Sequence, residues 1–375
     1  MTQVDMQSSE QEEDLRLLRE SARTLFDRAG GSGRSRKLRD AGGEFDPGMV
    51  RKLAEAGVFG VAVPEEQGGL GMGLAAGGVI AEEVGRVIAP EPVVATIGLG
   101  LGLLRRLCPE HPKLEQLIGG EASLAVAWQE RGPGGAPADA TCRYADGKLT
   151  GGKAWVVGAA ETQGFLVVAE ADGGPVLVLA EASADGLVTT RRAQADGSSL
   201  GELSFSGTPA AELACGAAVQ RALSEAVADA TALAAAELVG LSQRAFEITL
   251  DYIKTREQFD KPIGSFQVIQ HRAVDLNVMC EVAQAAVREV LMRMDSETDA
   301  SIRARLASRA KARAVTAARK VTRDAIQLHG AVGYTDEFDI GLYLNRALVL
   351  SAWLGDDAYH RRIWFDAREE EGAAQ

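Results

Sequence analysis

The sequence predicts an α+β fold in which a β-rich segment separates two helical segments. Apolar residues recur at helical spacing up to about residue 121, and short β-rich runs with Gly, Asp and Pro turns occupy about residues 122–215. Helical spacing then returns and continues to the end. We therefore expect three domains: an N-terminal helical block (1–121), a middle β-barrel-like domain (122–215) and a C-terminal four-helix bundle (216–375).

Composition places the chain among ordinary globular proteins. It has 375 residues, of which 46% are hydrophobic and 25% charged, so it can bury a large core shared by two or three subdomains. The formal net charge is -13, and no basic patch is visible. Because neutralising phosphates requires a basic surface, the charge argues against a nucleic acid partner.

Cysteine and histidine usage gives no metal-binding pattern. The four cysteines are scattered without a CxxC pair, and the four histidines show no ligand spacing such as HExxH. The acidic N-terminal sequence lacks an apolar signal core, and no apolar run is long enough to span a membrane. We expect reduced thiols, no metal, no membrane span and a cytoplasmic location.

The N-terminal segment shows helices interrupted by one flexible stretch. Helical spacing covers residues 14–26, and residues 28–36 (RAGGSGRSR) are predicted to form an exposed loop. Asp46 and Pro47 form a helix start, with Asp46 as the N-cap and Pro47 at the first helical position. Gly57 then ends that helix.

The middle segment changes to strand periodicity. Its apolar, β-branched runs are each bounded by turn residues, which is typical of short antiparallel strands. These runs are WVVGA, GFLVVAEA, PVLVLAEA, GLVTTRR and GELSFSG.

The C-terminal segment is predicted to contain long bundle helices. The first has an apolar face that ends near Tyr252, after which Pro262 and Gly264 break the pattern. A second long helix follows from about residue 266 to 294, and a third, lined by alanines, runs from about residue 307 to 328. A shorter helix and a last one starting near Asp356 complete the chain.

Two sequence motifs in this segment are linked at a specific spacing. The first is Tyr252-x3-Arg256-x-Gln258-Phe259-x3-Ile263-x2-Phe266-Gln267, and the second is QLHGAVGY, starting at Gln327. An arginine near a helix C-terminus is commonly a solvated dipole partner. Together, however, the two motifs resemble the signature of the acyl-CoA dehydrogenase family of flavoproteins. The turn PEEQGGLG near residue 64 and the order of domains extend the resemblance over essentially the whole chain.

The resemblance implies an FAD-dependent α,β-dehydrogenation of an acyl-CoA thioester, with electron-transfer flavoprotein as the electron acceptor. In that family a carboxylate base removes the α-proton, and FAD lies between two subunits. The matching positions imply that this chain contacts FAD through Arg256, Gln258, Phe259, Gln327, Gly330, Gly333 and Trp155. A guanidinium suits diphosphate oxygens, and glycines allow close backbone approach.

The catalytic half of the resemblance is incomplete. The position of the family's usual base is occupied by Leu354, and the alternative base position by Ala230, and neither side chain can accept a proton. The flavin-side Trp-Ile-Thr motif reads Trp155-Val156-Val157, which keeps the ring and loses a hydroxyl.

The catalytic base is therefore unassigned. Glu237 and Asp356 are the weak candidates for a displaced base, together with Asp229 and Asp357. For each of these acids, solvation or helix capping is the favoured interpretation.

Two functional hypotheses follow. In the first, the chain is a subunit of a heteromeric enzyme, an α2β2 tetramer or a heterodimer, and it completes an FAD site whose base belongs to a homologous partner. Such paired relatives act on bulky thioesters, including steroid side chains. In the second, the chain is a self-sufficient homotetrameric acyl-CoA dehydrogenase with a displaced carboxylate base. The first is favoured because both usual base positions lack a carboxylate.

Overall fold

The computed structural model describes the backbone of residues 3–42, 44–131 and 142–373, and the side chains of residues 12–42, 44–131 and 142–366. The helices before the first strand are α1 (Gln3–Arg28), α2 (Gly31–Asp40), α3 (Pro47–Glu55), α4 (Gly73–Val87), α5 (Val93–Ala95), α6 (Gly102–Leu107) and α7 (Pro112–Ile118). A π-helical segment, Thr96–Leu101, joins α5 to α6.

Two features of this N-terminal segment test the sequence prediction directly. Helix α3 begins at Pro47, and the Asp46 side chain accepts a hydrogen bond from the Gly48 N–H, as predicted for an N-cap. The predicted loop at residues 28–36 is wrong from residue 31 onward, because α2 begins at Gly31 and only Ala29 and Gly30 form a turn between the two helices. Tertiary contacts override its poor helix propensity, since Ser32 Oγ donates to Asp339 Oδ2 at 2.8 Å and Arg36 pairs with Asp339 at 2.9 Å.

The middle segment forms one sheet of eight strands. These are β1 (Leu124–Ala127), β2 (Arg143–Ala145), β3 (Lys148–Val157), β4 (Gly164–Ala171), β5 (Gly174–Glu181), β6 (Leu187–Ala193), β7 (Ser199–Pro209) and β8 (Ala211–Cys215). The order is β6-β7-β3-β2-β4-β5-β8, with β1 parallel beside β4. Strands β4 and β5 are antiparallel in full register, for example Val167 opposite Val178. The five sequence runs thus correspond to paired strands.

One face of this sheet carries its hydrophobic core. Alternate residues of neighbouring strands point to the same side, so their apolar side chains pack together. Phe165 and Val167 of β4 meet Val176 and Val178 of β5, and Phe205 of β7 joins the same buried cluster.

The C-terminal segment is helical except for one small hairpin. It contains α8 (Ala217–Thr255), β9 (Glu257–Gln258), β10 (Lys261–Pro262), α9 (Gln267–Ser296), α10 (Ala300–His329), α11 (Ile340–Ala352) and α12 (Asp357–Ala373). Leu276, Ala283 and Val290 are buried on α9, and the alanine-lined face of α10 is buried as well. The predicted order of helices, sheet and helical bundle is confirmed.

The chain divides into two compact units. The helical unit comprises Met1–Lys37, Leu74–Ala89 and Thr231–Gln375, and the sheet-containing unit comprises Leu38–Gly73 and Pro90–Ala230. No helix within the described residues is long and apolar enough to cross a membrane. The described residues also contain no cluster of side chains suited to a metal ion.

Helices α4 and α8 of the helical unit touch backbone to backbone. A Cβ added at Gly85 would lie 2.0 Å from the carbonyl oxygen of Glu237, and one added at Gly240 would lie 1.8 Å from that of Glu82. No side chain larger than hydrogen fits at these distances, so the two glycines determine how closely the helices approach.

Candidate functional site

The first sequence motif folds into a helix end followed by a tight hairpin. Strands β9 and β10 pair antiparallel through a two-residue turn, in which Phe259 and Asp260 have φ values of 55° and 60°. Two consecutive residues with positive φ define a type I′ turn, which matches the twist of a short hairpin. The turn presents Phe259 to solvent, with 86% of its surface exposed.

Arg256 lies between α8 and this hairpin. Its carbonyl accepts the Ile263 N–H at 2.8 Å, which closes the loop, while its side chain is exposed. Among the described residues Arg256 forms no salt bridge. Gln258 is also exposed and bonds only locally, to the Glu257 carbonyl at 2.8 Å. An exposed guanidinium that forms no salt bridge is available to an anionic ligand.

The structure brings the second motif next to the first. The Tyr252 hydroxyl of α8 donates to the His329 carbonyl at the end of α10, at 3.2 Å. The two rings stack, with centroids 4.3 Å apart, and Phe338 packs against both. His329 Nδ1 faces the Ala325 carbonyl at 2.8 Å, and burial lowers the pKa of His329, which favours a neutral ring.

The two glycines of the second motif are required for different reasons. Gly330 has a φ of 63° and no atom within 4 Å of an added Cβ, so its backbone is open to a ligand. Gly333 is buried, and an added Cβ would lie 2.7 Å from the Ile326 carbonyl oxygen. Gln327 is exposed one turn before Gly330. This motif therefore combines an open backbone with a tightly packed turn.

In the sheet-containing unit, Trp155 lies on a bulge of β3. The register with β7 shifts between Lys153 and Val156, and Trp155 has a φ of 56°. Positive φ is uncommon for a bulky residue and is found where the surroundings hold the backbone in place. The Trp155 side chain is half-buried.

A buried ion pair supports this bulge. Lys153 Nζ lies 2.6 Å from Glu130 Oε1, and both side chains are almost fully buried. Glu130 Oε1 also accepts the Cys142 N–H at 3.0 Å, and the Ala154 N–H donates to the Gln129 carbonyl. Breaking a buried ion pair is strongly unfavourable. The Lys153–Glu130 pair therefore stabilises the position of residues 129–130 beside Trp155.

Leu354, where the resemblance places the family's usual base, lies just after α11. Leu354 is buried, with 7% of its surface exposed, and has a φ of 62°, while the following Gly355 has a φ of 109°. The backbone of Leu354 is therefore strained. Its side chain is a hydrocarbon that cannot accept a proton.

Each candidate carboxylate has a structural partner. Glu237 is 1% exposed, and its Oε1 accepts from Arg346 Nε at 2.9 Å and from Arg346 Nη2 at 2.6 Å. Asp356 is exposed and caps α12 by accepting the Tyr359 N–H at 2.8 Å. These contacts support the structural interpretation of both acids.

The remaining two candidate acids, Asp229 and Asp357, also have arginine partners. Asp229 is buried and accepts from Arg106 at 2.7 Å and from Arg105 at 3.3 Å. Asp357 lies 3.5 Å from Arg319 and 3.6 Å from Arg361.

Two buried polar residues near Leu354 were missed by the sequence reasoning. Lys311 is fully buried, and its Nζ donates to the carbonyls of Leu350 and Trp353. His360 is buried as well, with Nδ1 3.1 Å from Ser308 Oγ. Lys311 lies four residues after Ala307 and four before Val315, so its place on the apolar face of α10 was a readable signal.

His360 predicts a measurable loss of stability in mild acid. Burial, and secondarily the Lys311 ammonium, lower the pKa of His360 from 6.5 to about 4. The folded state therefore resists protonation that the unfolded chain accepts, and stability present above pH 6.5 is lost as pH falls towards 4. The shift corresponds to roughly 3 kcal/mol. Denaturant unfolding at pH 6.5 and 4.5 should show a smaller decrease for His360→Gln than for the wild type.

The matched control is His271→Gln, because His271 is exposed on α9. That variant should lose as much stability between the two pH values as the wild type. An unchanged pH dependence in His360→Gln would show that His360 does not resist protonation.

The two halves of the expected cofactor site differ in how well they fit a flavin dinucleotide. The exposed Arg256 guanidinium and the open backbone at Gly330 suit an anionic diphosphate. On the sheet side Trp155 supplies an aromatic surface, and Val157 offers no hydroxyl to a flavin ring. Arg256 and Gly330 therefore suit the nucleotide end of the expected cofactor, and the sheet side contributes the Trp155 ring without a hydroxyl at residue 157.

Family models match both ends of the chain. Residues 12–115 match the acyl-CoA dehydrogenase N-terminal domain, and residues 220–367 match the acyl-CoA dehydrogenase C-terminal domain. The chain is 31% identical over 347 residues to acyl-CoA dehydrogenase IpdE2 of Mycobacterium tuberculosis, covering 89% of this chain and 91% of that protein.

Solved structures show the same fold. A variant of the Tcur3481-Tcur3483 steroid ACAD has a TM-score of 0.85 and 30% identity, covering 97% of this chain and 100% of that chain. The ChsE4-ChsE5 complex from Mycobacterium tuberculosis has a TM-score of 0.83 and 26% identity, covering 95% of this chain and 97% of that chain.

Proposed function

The chain belongs to the acyl-CoA dehydrogenase family of FAD-dependent oxidoreductases, and we propose that it is the base-less subunit of a heteromeric acyl-CoA dehydrogenase. It contributes the nucleotide-binding half of an FAD site to a homologous catalytic partner. The substrate class is an acyl-CoA thioester, with a bulky acyl group such as a steroid side chain, and electron-transfer flavoprotein is the electron acceptor.

The observation that supports this proposal is the contrast between the two halves of the site. Both motifs expected to contact the nucleotide are present, and the Tyr252–His329 contact brings them together. At the base position, by contrast, a buried leucine occupies a strained turn. A chain that has the residues expected to contact FAD, and no proton acceptor at the expected base position, is suited to completing the site of another chain.

Bound FAD would supply the hydride acceptor for the reaction. Arg256 would pair with its diphosphate through a planar guanidinium fork, and Gly330 would let the α10 end approach the nucleotide. The exposed side chains of Gln258, Phe259 and Gln327 would lie on the same surface, and the buried Gly333 would keep the turn after α10 tightly packed. In the sheet-containing unit, the Trp155 side chain would pack against the flavin ring. The Lys153–Glu130 ion pair would hold the bulge that carries Trp155.

An exposed apolar surface on α9 supports association with another chain. Val268, Val274, Val278 and Met292 on this helix each expose more than half of their surface. Exposed apolar side chains grouped on one helix are typical of subunit interfaces. We propose that a homologous acyl-CoA dehydrogenase subunit covers this surface, because a similar structure is the complex of two chains, ChsE4 and ChsE5.

The alternative, a self-sufficient homotetramer with a displaced base, has less support. Glu237 is held by Arg346, and Asp356 caps α12, so using either as a base would disrupt an existing contact. General base catalysis needs a carboxylate free to accept the proton at its reacting position.

Arg256→Ala tests the FAD contact. If the guanidinium binds the diphosphate, its removal costs about 1.5 to 3 kcal/mol, so FAD should bind roughly tenfold to a hundredfold more weakly. Arg256→Lys should recover only part of the affinity, because an ammonium lacks the planar fork. The chain is copurified with its partner, and FAD is removed from the complex. Titration of FAD into this apo-complex then measures the dissociation constant.

Lys254→Ala is the matched control, since Lys254 is exposed in the last turn of α8 and lies two residues from Arg256. Its FAD affinity should equal that of the wild type. Equal FAD affinity in Arg256→Ala and the wild type would exclude the proposed contact.

A further inference from the structure

Lys311 is a buried cation that binds two backbone carbonyls. None of its surface is exposed, and its Nζ donates to the Leu350 carbonyl at 2.8 Å and to the Trp353 carbonyl at 2.7 Å. Burying an ammonium is costly unless hydrogen bonds compensate for its lost hydration. The short bonds to carbonyl oxygens provide that compensation, since hydrogen bonds to a charged group are stronger than neutral ones.

The two carbonyls lie at the point where α11 ends. Leu350 is in the last turn of the helix, and Trp353 is its C-cap. The last carbonyls of a helix have no intrahelical partner and carry partial negative charge, so a cation there is stabilising. The turn of Leu354 and Gly355, both with positive φ, follows immediately.

Helix α12 restrains this turn from its other end. An added Cβ at Gly355 would lie 2.5 Å from the Tyr359 ring and 3.0 Å from His360 Nε2. His360 is in turn bonded to Ser308, one helical turn before Lys311 on α10. Side chains of α10 and α12 therefore enclose the turn: His360 lies against the backbone of Leu354 and Gly355, and Lys311 bonds to the two carbonyls that precede the turn.

Burial dominates the electrostatics of Lys311. It lowers the pKa of Lys311 from 10.5 to about 7, and the Glu237 carboxylate of α8 offsets only part of this by favouring the ammonium. Glu237 is paired with Arg346 of α11, and His360 of α12 is kept uncharged near neutral pH by its low pKa. The carbonyl bonds thus remain the main specific contacts of the Lys311 ammonium.

We propose that Lys311 is a positioning residue that holds the Leu354–Gly355 turn, at the family's base position, in its left-handed conformation. A leucine with positive φ is unfavourable unless its surroundings enforce the conformation. Lys311 enforces it by fixing the orientation of the peptide that precedes Leu354. The importance of this turn for the reaction rests on the proposed function, whereas the contact between Lys311 and the carbonyls does not.

Hydrogen exchange of two amides tests this proposal. The Trp353 N–H donates to the Val349 carbonyl at 3.1 Å, and the Gly355 N–H donates to the Ala352 carbonyl at 3.3 Å. In Lys311→Met, a variant of similar length without charge or donor, both amides should exchange at least tenfold faster. The exchange rates of amides in the centre of α9 should increase only as much as the loss of global stability predicts.

Lys320→Met is the control on the same helix, because Lys320 is exposed and pairs with Asp324 one turn away. It should leave both turn amides unchanged. If Lys311→Met does not fold, the same comparison is made with Lys311→Gln, whose amide keeps two N–H donors without charge.

Two results would overturn the proposal. One is unchanged exchange at Trp353 and Gly355 in the folded variant. The other is uniform acceleration across α9, α10 and the turn, which would mean that Lys311 supports only global packing. Neither result changes the expected FAD affinity of Arg256→Ala, so failure of this proposal is distinguishable from failure of the proposed function.

Discussion

Purified alone and supplied with excess FAD, the chain is expected to show negligible α,β-dehydrogenation of acyl-CoA thioesters. The resemblance places Leu354 and Ala230 at the two base positions of the family, and neither side chain can take the α-proton. A general base contributes about 10²- to 10⁴-fold to such rates, so turnover without one should be barely detectable. Anaerobic flavin bleaching by acyl-CoA and dye-coupled turnover measure this directly.

Addition of the homologous partner should restore the reaction, and removing the catalytic carboxylate of that partner should abolish it. Asp356→Asn in this chain should leave the restored activity unchanged, because Asp356 caps α12. The subunit hypothesis fails if the chain alone reduces its flavin rapidly with acyl-CoA and loses this reaction in Asp356→Asn or Glu237→Gln. That acid would then be the displaced base.

Gly240→Ala should destabilise the folded protein by about 3 kcal/mol or more, the upper range for overpacking. The new methyl group would lie 1.8 Å from the Glu82 carbonyl oxygen, so α4 and α8 would have to separate. Since alanine favours helix by about 1 kcal/mol over glycine, the destabilisation would occur despite better intrinsic propensity. Denaturant unfolding followed by circular dichroism measures the change.

Gly33→Ala is the matched control, because it also lies in a helix and has no atom within 4 Å of an added Cβ. It should be neutral or stabilising by up to about 1 kcal/mol. Similar stabilities for Gly240→Ala and Gly33→Ala would show that the α4–α8 contact relaxes without cost.

Much of the fold was readable because local patterns and tertiary packing agree. Strand runs such as GFLVVAEA carry apolar residues on both faces, and the corresponding strand β4 is mostly buried. A loop is predicted at residues 28–36 because glycine and serine are poor helix formers in isolation, yet most of this segment is helical. Contacts with Asp339, distant in sequence, supply the missing stabilisation.

The candidate site was readable where residue identity alone carries the chemistry. The sequence determined by itself that Arg256 and Gln327 belong to linked motifs and that residue 354 is a leucine unable to act as a base. Those statements need no coordinates, since motif membership follows from residue identity and a hydrocarbon cannot accept protons in any fold.

Only the tertiary structure decided which charged side chains are already engaged in ion pairs or hydrogen bonds. Glu237 could have faced solvent on α8, but it is buried against Arg346, and Lys311 is buried against the end of α11. The partners in these contacts are 109 and 39 residues apart in sequence, so no local pattern reports them. Long-range packing sets burial and pairing, and these determine whether a charged side chain is available for chemistry or already holds the fold together.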